Sequence, residues 1–129
     1  MAGRFSEYSE KVLKIFKNPV NVGVIKDPDA WGFISDPTRG VTMELFLKLD
    51  GDVIADARFR ASGCGATIAT TSTITQMLKG KTPGQALEIT DIDLAQALEL
   101  SERKHYVAEL GRELIAAAVD DYRQRKALK

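Results

Sequence analysis

Between Thr42 and Leu49 the chain alternates strictly: Met43, Leu45, Leu47 and Leu49 interleave with Thr42, Glu44, Phe46 and Lys48. A period of two predicts a strand with one buried face. Asp50-Gly51 follows, a dipeptide that favours tight hairpins. The chain then returns from Val53 to Ala61, with Val53, Ala55, Ala57 and Phe59 on one face and Asp56, Arg58 and Arg60 on the other. The pattern predicts an antiparallel hairpin. A shorter strand is expected upstream, from Trp31 to Ile34, ahead of a turn at Asp36-Pro37.

Elsewhere the apolar spacing is helical. Tyr8, Val12, Ile15 and Phe16 fall at i, i+4, i+7 and i+8, with Ser6 as the expected cap and Asn18-Pro19 as the stop. Residues Pro19 to Ala30 contain Gly23 and Pro28 and read as an irregular connector. After the hairpin, a helix is predicted from about Ala66 to Lys79, ended by Gly80. Ile74, Met77 and Leu78 mark its apolar face, and Ala66, Ala69 and Thr70 are small enough for close packing on the sheet. Thr90 is expected to cap a short helix carrying Ile92, Leu94, Ala95 and Leu98, with Asp93 completing a capping box. A last helix from about Glu102 to Lys126 presents Val107, Leu110, Leu114, Ala117, Ala118 and Tyr122 at helical spacing. Three strands followed by helices predict an α+β fold, a three-stranded antiparallel sheet with helices packed on one face.

Composition limits the function classes. With 129 residues, 44% of them hydrophobic, one domain spanning residues 1–129 is expected. Eighteen basic residues balance eighteen acidic ones, and no basic stripe interleaves with aromatics, which argues against nucleic acid as a partner. No run approaches the roughly 20 apolar residues of a spanning helix, and the N-terminus lacks an apolar leader, so neither membrane insertion nor export is expected. The expected setting is the cytoplasm. With a single cysteine, neither an internal disulfide framework nor a one-chain zinc finger can form.

That cysteine, Cys64, lies between Gly63 and Gly65, where strand pattern gives way to helix pattern. A helix start offers unpaired N–H groups and partial positive charge, both of which favour thiolate over thiol. Gly80-Lys81-Thr82 does not form a phosphate loop, because it ends a helix and Thr75 stands where the upstream glycine belongs. Asp27/Asp29 and Asp91/Asp93 lack the further oxygens of a calcium loop. With one histidine and one thiol, no hydrolase triad is convincing, and no catalytic residue is assigned.

The motifs Tyr8-Ser9-Glu10-Lys11-Val12-Leu13, Phe16-Lys17-Asn18-Pro19, Asn21-Val22-Gly23 and the Gly-Cys-Gly turn, in this order and spacing, resemble the iron–sulfur cluster assembly scaffolds of the IscU type and the N-terminal domain of NifU. The resemblance covers nearly the whole chain. That family builds its site from three cysteines, helped by an aspartate two residues after the first and a histidine just before the last. By this resemblance the first cysteine corresponds to Arg39 and the aspartate to Val41. The second is kept as Cys64, and Lys104-His105-Tyr106 keeps the histidine while replacing the third thiol by a phenol. The proline-rich, lysine-ended segment that recruits a chaperone in many members is replaced by Leu100-Ser101-Glu102-Arg103-Lys104.

The resemblance implies a non-catalytic protein of iron–sulfur cluster assembly whose scaffold capacity is reduced or lost, with a cysteine desulfurase and acceptor apoproteins as partners. A two-iron cluster takes about four protein ligands. Arg39 has no lone pair to offer, and a phenol with pKa of about 10 is a poor substitute for a thiolate. Cys64 and His105 remain as candidate ligands for iron, a [2Fe–2S] cluster or zinc, and a homodimer pooling both from each chain would supply a two-sulfur, two-nitrogen set. Arg39 is either a solvated loop residue or a cation beside Cys64. Two rival readings stand: a metal-independent regulatory or interaction module that keeps only the fold, and a thiol enzyme or sulfur carrier.

Overall fold

The structure, a computed structural model, describes residues 8–128. Strands β1 (Ala30–Asp36), β2 (Val41–Asp50) and β3 (Val53–Ser62) form an antiparallel sheet in the order β1-β2-β3. Helix α1 (Glu10–Lys17) precedes the sheet; α2 (Gly65–Leu78), the single turn α3 (Pro83–Ala86), α4 (Asp91–Leu98) and α5 (His105–Ala127) follow it, with a 3₁₀ turn at Glu102–Lys104 leading into α5. This is the α+β architecture expected from the pattern. Helix α5 packs under β1 and β2, and α2 under β3.

Most of the inward alternation on β2 holds, since Met43, Leu45 and Leu47 are buried against the helices. On β3 the expected face is corrected. Val53 and Ala55 are exposed, and Ile54 is buried instead. The two-residue turn sets Leu49 opposite Ile54, and unbroken pairing from there would put Asp56 opposite Leu47, in the core. A bulge at Ala55 absorbs one residue, so Leu47 faces Ala57 and Lys48 faces Asp56. The bulge keeps charge out of the core.

The first helix starts later than expected. Ser9 caps it, its Oγ accepting from Val12 N at 3.1 Å, while Ser6 lies outside the described residues and Tyr8 precedes the helix. The capping box of Thr90 and Asp93 forms as predicted. A second one, Thr82 with Gln85, builds α3, which the apolar pattern is too short to reveal. The last helix begins at His105 because Glu102–Lys104 winds as 3₁₀.

Helix α2 is buried on nearly every side despite its threonines. Thr71 and Thr75 donate back to the carbonyls of Thr67 and Ser72, at 2.7 and 2.6 Å. Ser72 Oγ exchanges bonds with the N–H and carbonyl of Val20, both at 3.0 Å, and Asn21 Nδ2 donates to Thr75 Oγ1 at 2.9 Å. The connector after α1 is thereby pinned along α2, and its Asn21 and Gly23 bond Phe59 on the outer edge of β3. At the far side, Gly32 lets α5 approach β1 backbone to backbone: a Cβ there would stand 2.9 Å from Ala118 N and 3.0 Å from Leu114 O.

Candidate functional site

Strand β3 ends at Ser62 and α2 starts at Gly65, so Cys64 becomes the N-cap of α2 with extended backbone. Gly63 takes φ +152°, where its missing Cβ would also stand 2.7 Å from Thr67 Oγ1. The rings of Tyr8 and Phe16 lie over Gly65. Cys64 is thus half-buried at the bottom of a sharp turn rather than freely exposed.

The sulfur sits 3.5 Å from Thr67 Oγ1, and Lys104 Nζ donates to it at 3.7 Å. Burial is the largest single influence on this thiol and pushes its pKa up. The Thr67 hydroxyl, the Thr67 and Ala66 amides and the Lys104 charge together outweigh burial, and the pKa is lowered. Tyr8 responds oppositely: burial, then the neighbouring Cys64 charge, raises its pKa. The Lys104 ammonium lies 5.7 Å from the Tyr8 ring centroid. Burial acts to lower its pKa, but the negative forms of Cys64, Tyr106 and Tyr8 prevail and raise it. The site sets a thiol of lowered pKa beside the Lys104 ammonium and the Tyr8 phenol.

Arg39 is engaged elsewhere. Its Nη1 donates to Asp36 Oδ2 at 2.8 Å within the β1–β2 turn, and its guanidinium lies 4.6 Å from the centroid of the Tyr106 ring. Of the two alternatives open in the sequence, the solvated loop residue is the one the structure fits: Arg39 is exposed in the β1–β2 turn, paired with Asp36 and lying over the Tyr106 ring, and the cation beside Cys64 is Lys104. Val41 is buried in the core at the head of β2. His105 Nε2 bonds Asp91 Oδ2 at 3.0 Å, linking α5 to the start of α4. Among the described residues no group of three or more His, Cys, Asp or Glu side chains could hold a metal ion.

Comparison with known proteins places this geometry. The family model described as the NifU-like N terminal domain matches residues 7–129. The chain belongs to this NifU N-terminal family. As a NifU-type domain it is 38% identical over 126 residues to the iron–sulfur cluster assembly scaffold protein IscU of Escherichia coli K12, covering 95% of this chain and 98% of that one. It is 40% identical over 116 residues to iron–sulfur cluster assembly scaffold protein IscU 1 of Archaeoglobus fulgidus, covering 89% and 76%. In fold it is similar to the N-terminal NifU-like protein of Brucella abortus, with a TM-score of 0.74, 15% identity and coverage of 94% and 97%. It is likewise similar to the putative SUF-system scaffold of Fervidobacterium islandicum, with a TM-score of 0.76, 21% identity and coverage of 91% and 99%.

Within the NifU-type domain, sequence reasoning located Cys64 and its turn but missed three of its neighbours. Lys104 was visible only as part of a replaced segment, Tyr8 only as a helix and motif position, and Thr67 was not singled out. Each neighbours the sulfur because α1, α2 and α5 converge there. No helix among the described residues is long and apolar enough to cross a membrane.

Proposed function

We propose that this protein takes part in iron–sulfur cluster assembly as a cytoplasmic, non-catalytic NifU-type domain that offers its cargo one thiolate, Cys64, and whose scaffold capacity is reduced or lost. The observation that carries this reading is the Cys64 site itself: a thiol with lowered pKa at a helix start, next to Lys104, with no second thiol in the chain. Iron or a [2Fe–2S] cluster is cargo here. The residues present do not complete a ligand set within one chain, since Arg39 is spent on Asp36 and Tyr106, and Val41 is buried. Pooling Cys64 and His105 from two chains, for a cluster or for zinc, would require His105 to leave Asp91. A cysteine desulfurase and acceptor apoproteins are the partners this reading assigns, by kinship with the scaffold relatives.

The test is anaerobic reconstitution with iron, sulfide and a desulfurase, reading absorbance and metal per chain. The parent is expected to hold well under one cluster per chain, and Cys64→Ala to lose what remains. A stoichiometric chromophore that survives in Cys64→Ala would sink the assignment of Cys64. One that needs Cys64 would overturn the reduced capacity and leave a full scaffold.

A further inference from the structure

The two edges of the sheet are treated differently. The outer edge of β3 is covered by backbone at both ends: Phe59 N donates to Asn21 O and Phe59 O accepts from Gly23 N, while Ile54 N donates to Lys81 O and Ile54 O accepts from Gly80 N, all at 2.8–3.0 Å. Among the described residues the outer edge of β1 has one cap, the Asp121 carboxylate, which accepts from Trp31 N at 2.8 Å. Antiparallel alternation turns the backbone of Phe33 and Ser35 the same way as that of Trp31. No backbone bond beyond the β1–β2 ladder reaches either residue among the described residues. The strand sequence, Ala30-Trp-Gly-Phe-Ile-Ser-Asp36, has no lysine, arginine or proline, the residues that ordinarily protect a free edge. Its Trp31 and Phe33 rings are stacked, 6.1 Å apart and 39% and 45% exposed.

Alongside this edge runs a groove of about 390 Å³ walled by Trp31, Gly32 and Phe33 on one side and Ala117, Asp120 and Gln124 of α5 on the other. Asp120 is exposed, and its side chain is met by the Gln124 amide, at 2.9 Å, rather than by a cation. We propose that the β1 edge is a docking site for an extended, basic segment of a partner protein, which adds a fourth strand. Its backbone pairs with Phe33 and Ser35, alternate apolar side chains cover Trp31 and Phe33, and the basic side chains between them reach Asp120 across the small Ala117. A second copy paired antiparallel through this edge, its helices on the same face, meets a clash. Its own α5 would lie under its own β1, and two helices beneath neighbouring strands would be forced to about the 4.8 Å strand spacing, against the 8–10 Å that packed helices need. A segment with no helix beneath it meets no such clash. The inference does not depend on Cys64.

The chain has a single tryptophan, and it sits on this edge, so its fluorescence reads the site directly. The probe is a capped seven-residue peptide alternating lysine and valine, titrated into the full chain. A saturable change in Trp31 emission is expected. Binding should weaken at least about tenfold when the peptide amides facing β1 are N-methylated, because two or more backbone bonds are lost. It should also weaken when glutamate replaces lysine in the peptide, and by about two- to fivefold in Asp120→Asn, an exposed change that leaves the fold intact. Equal binding of the N-methylated peptide, equal or tighter binding of the glutamate peptide, or no saturable change at millimolar peptide would each overturn the proposal. So would concentration-dependent dimerisation in the ultracentrifuge that Phe33→Pro abolishes, which would give the edge to a second copy.

Discussion

Cys64 owes its lowered pKa first to Thr67, three residues on, and then to Lys104, which comes from a distant part of the chain. The Gly-Cys-Gly turn was legible because strand alternation stops at Ala61 and helical spacing starts within a few residues, which fixes the thiol at a helix start. The ammonium that adds to this lowering was not legible, since Lys104 lies 40 positions away and arrives only through the docking of α5. Arg39 illustrates the converse: sequence put it at a ligand position, and a local carboxylate claims it instead. These contacts predict that Lys104→Gln will shift the pH profile of iodoacetamide alkylation at Cys64 upward and slow the reaction at neutral pH, whereas Arg39→Gln will leave the profile in place. Thr67→Val should act in the same direction as Lys104→Gln, because the hydroxyl stabilises the thiolate. An unchanged profile in both Lys104→Gln and Thr67→Val would mean that the helix amides alone set the thiol.

At the scale of elements, two buried glycines give opposite predictions. Gly32→Ala drives a methyl into α5 backbone that cannot yield, so it should cost about 2 kcal/mol in chemical denaturation. Gly111→Ala meets side-chain methyls of Ile74, Leu94 and Thr70, at 2.9, 3.2 and 3.3 Å, with no backbone among them, and gains helix propensity of about 1 kcal/mol, so its net effect should be small. Thr70→Val should stabilise by about 1 kcal/mol, because the Thr70 hydroxyl is buried with no partner. The strands and helices themselves were legible in period and caps, as at β2 and Thr90. The bulge at Ala55 was not. It arises from a conflict between a turn that fixes Leu49 opposite Ile54 and charges at Asp56 and Arg58 that must face outward, and neither segment alone contains that conflict. The burial of α2 was hidden for a related reason, since Thr71 and Thr75 bond back to carbonyls of their own helix and Ser72 bonds the connector, so their polarity does not mark a solvent face.

For the whole molecule, carboxylates held low by hydrogen bonds and ion pairs set its response to acid. Asp36 is held below the ordinary carboxylate range by the Thr38 hydroxyl and then by Arg39. Asp91 is held low chiefly by His105, which ties α4 to α5. For Asp56 burial is the largest influence and raises the pKa, but Arg58 and Lys79, the latter just past α2, prevail and lower it. A carboxyl with a depressed folded-state pKa adds stability above its unfolded value, about 3.9, and loses it as pH falls through the folded value. On the alkaline side the raised pKa values of Tyr8 and Lys104 act the other way, holding stability until pH rises through them, while the lowered thiol of Cys64 gains above its unfolded pKa. The thermal midpoint should therefore stay nearly level from about pH 5 to pH 8 and fall steeply below about pH 4. Removing the pairs should flatten that acid limb. A variant carrying Asp36→Asn, Asp56→Asn and Asp91→Asn should melt lower than the parent at pH 7 and by a smaller margin at pH 2.5, below the ordinary carboxylate range, where the parent loses the stability its carboxylates add. If the gap between the two proteins is the same at both pH values, these three carboxylates do not carry the acid sensitivity.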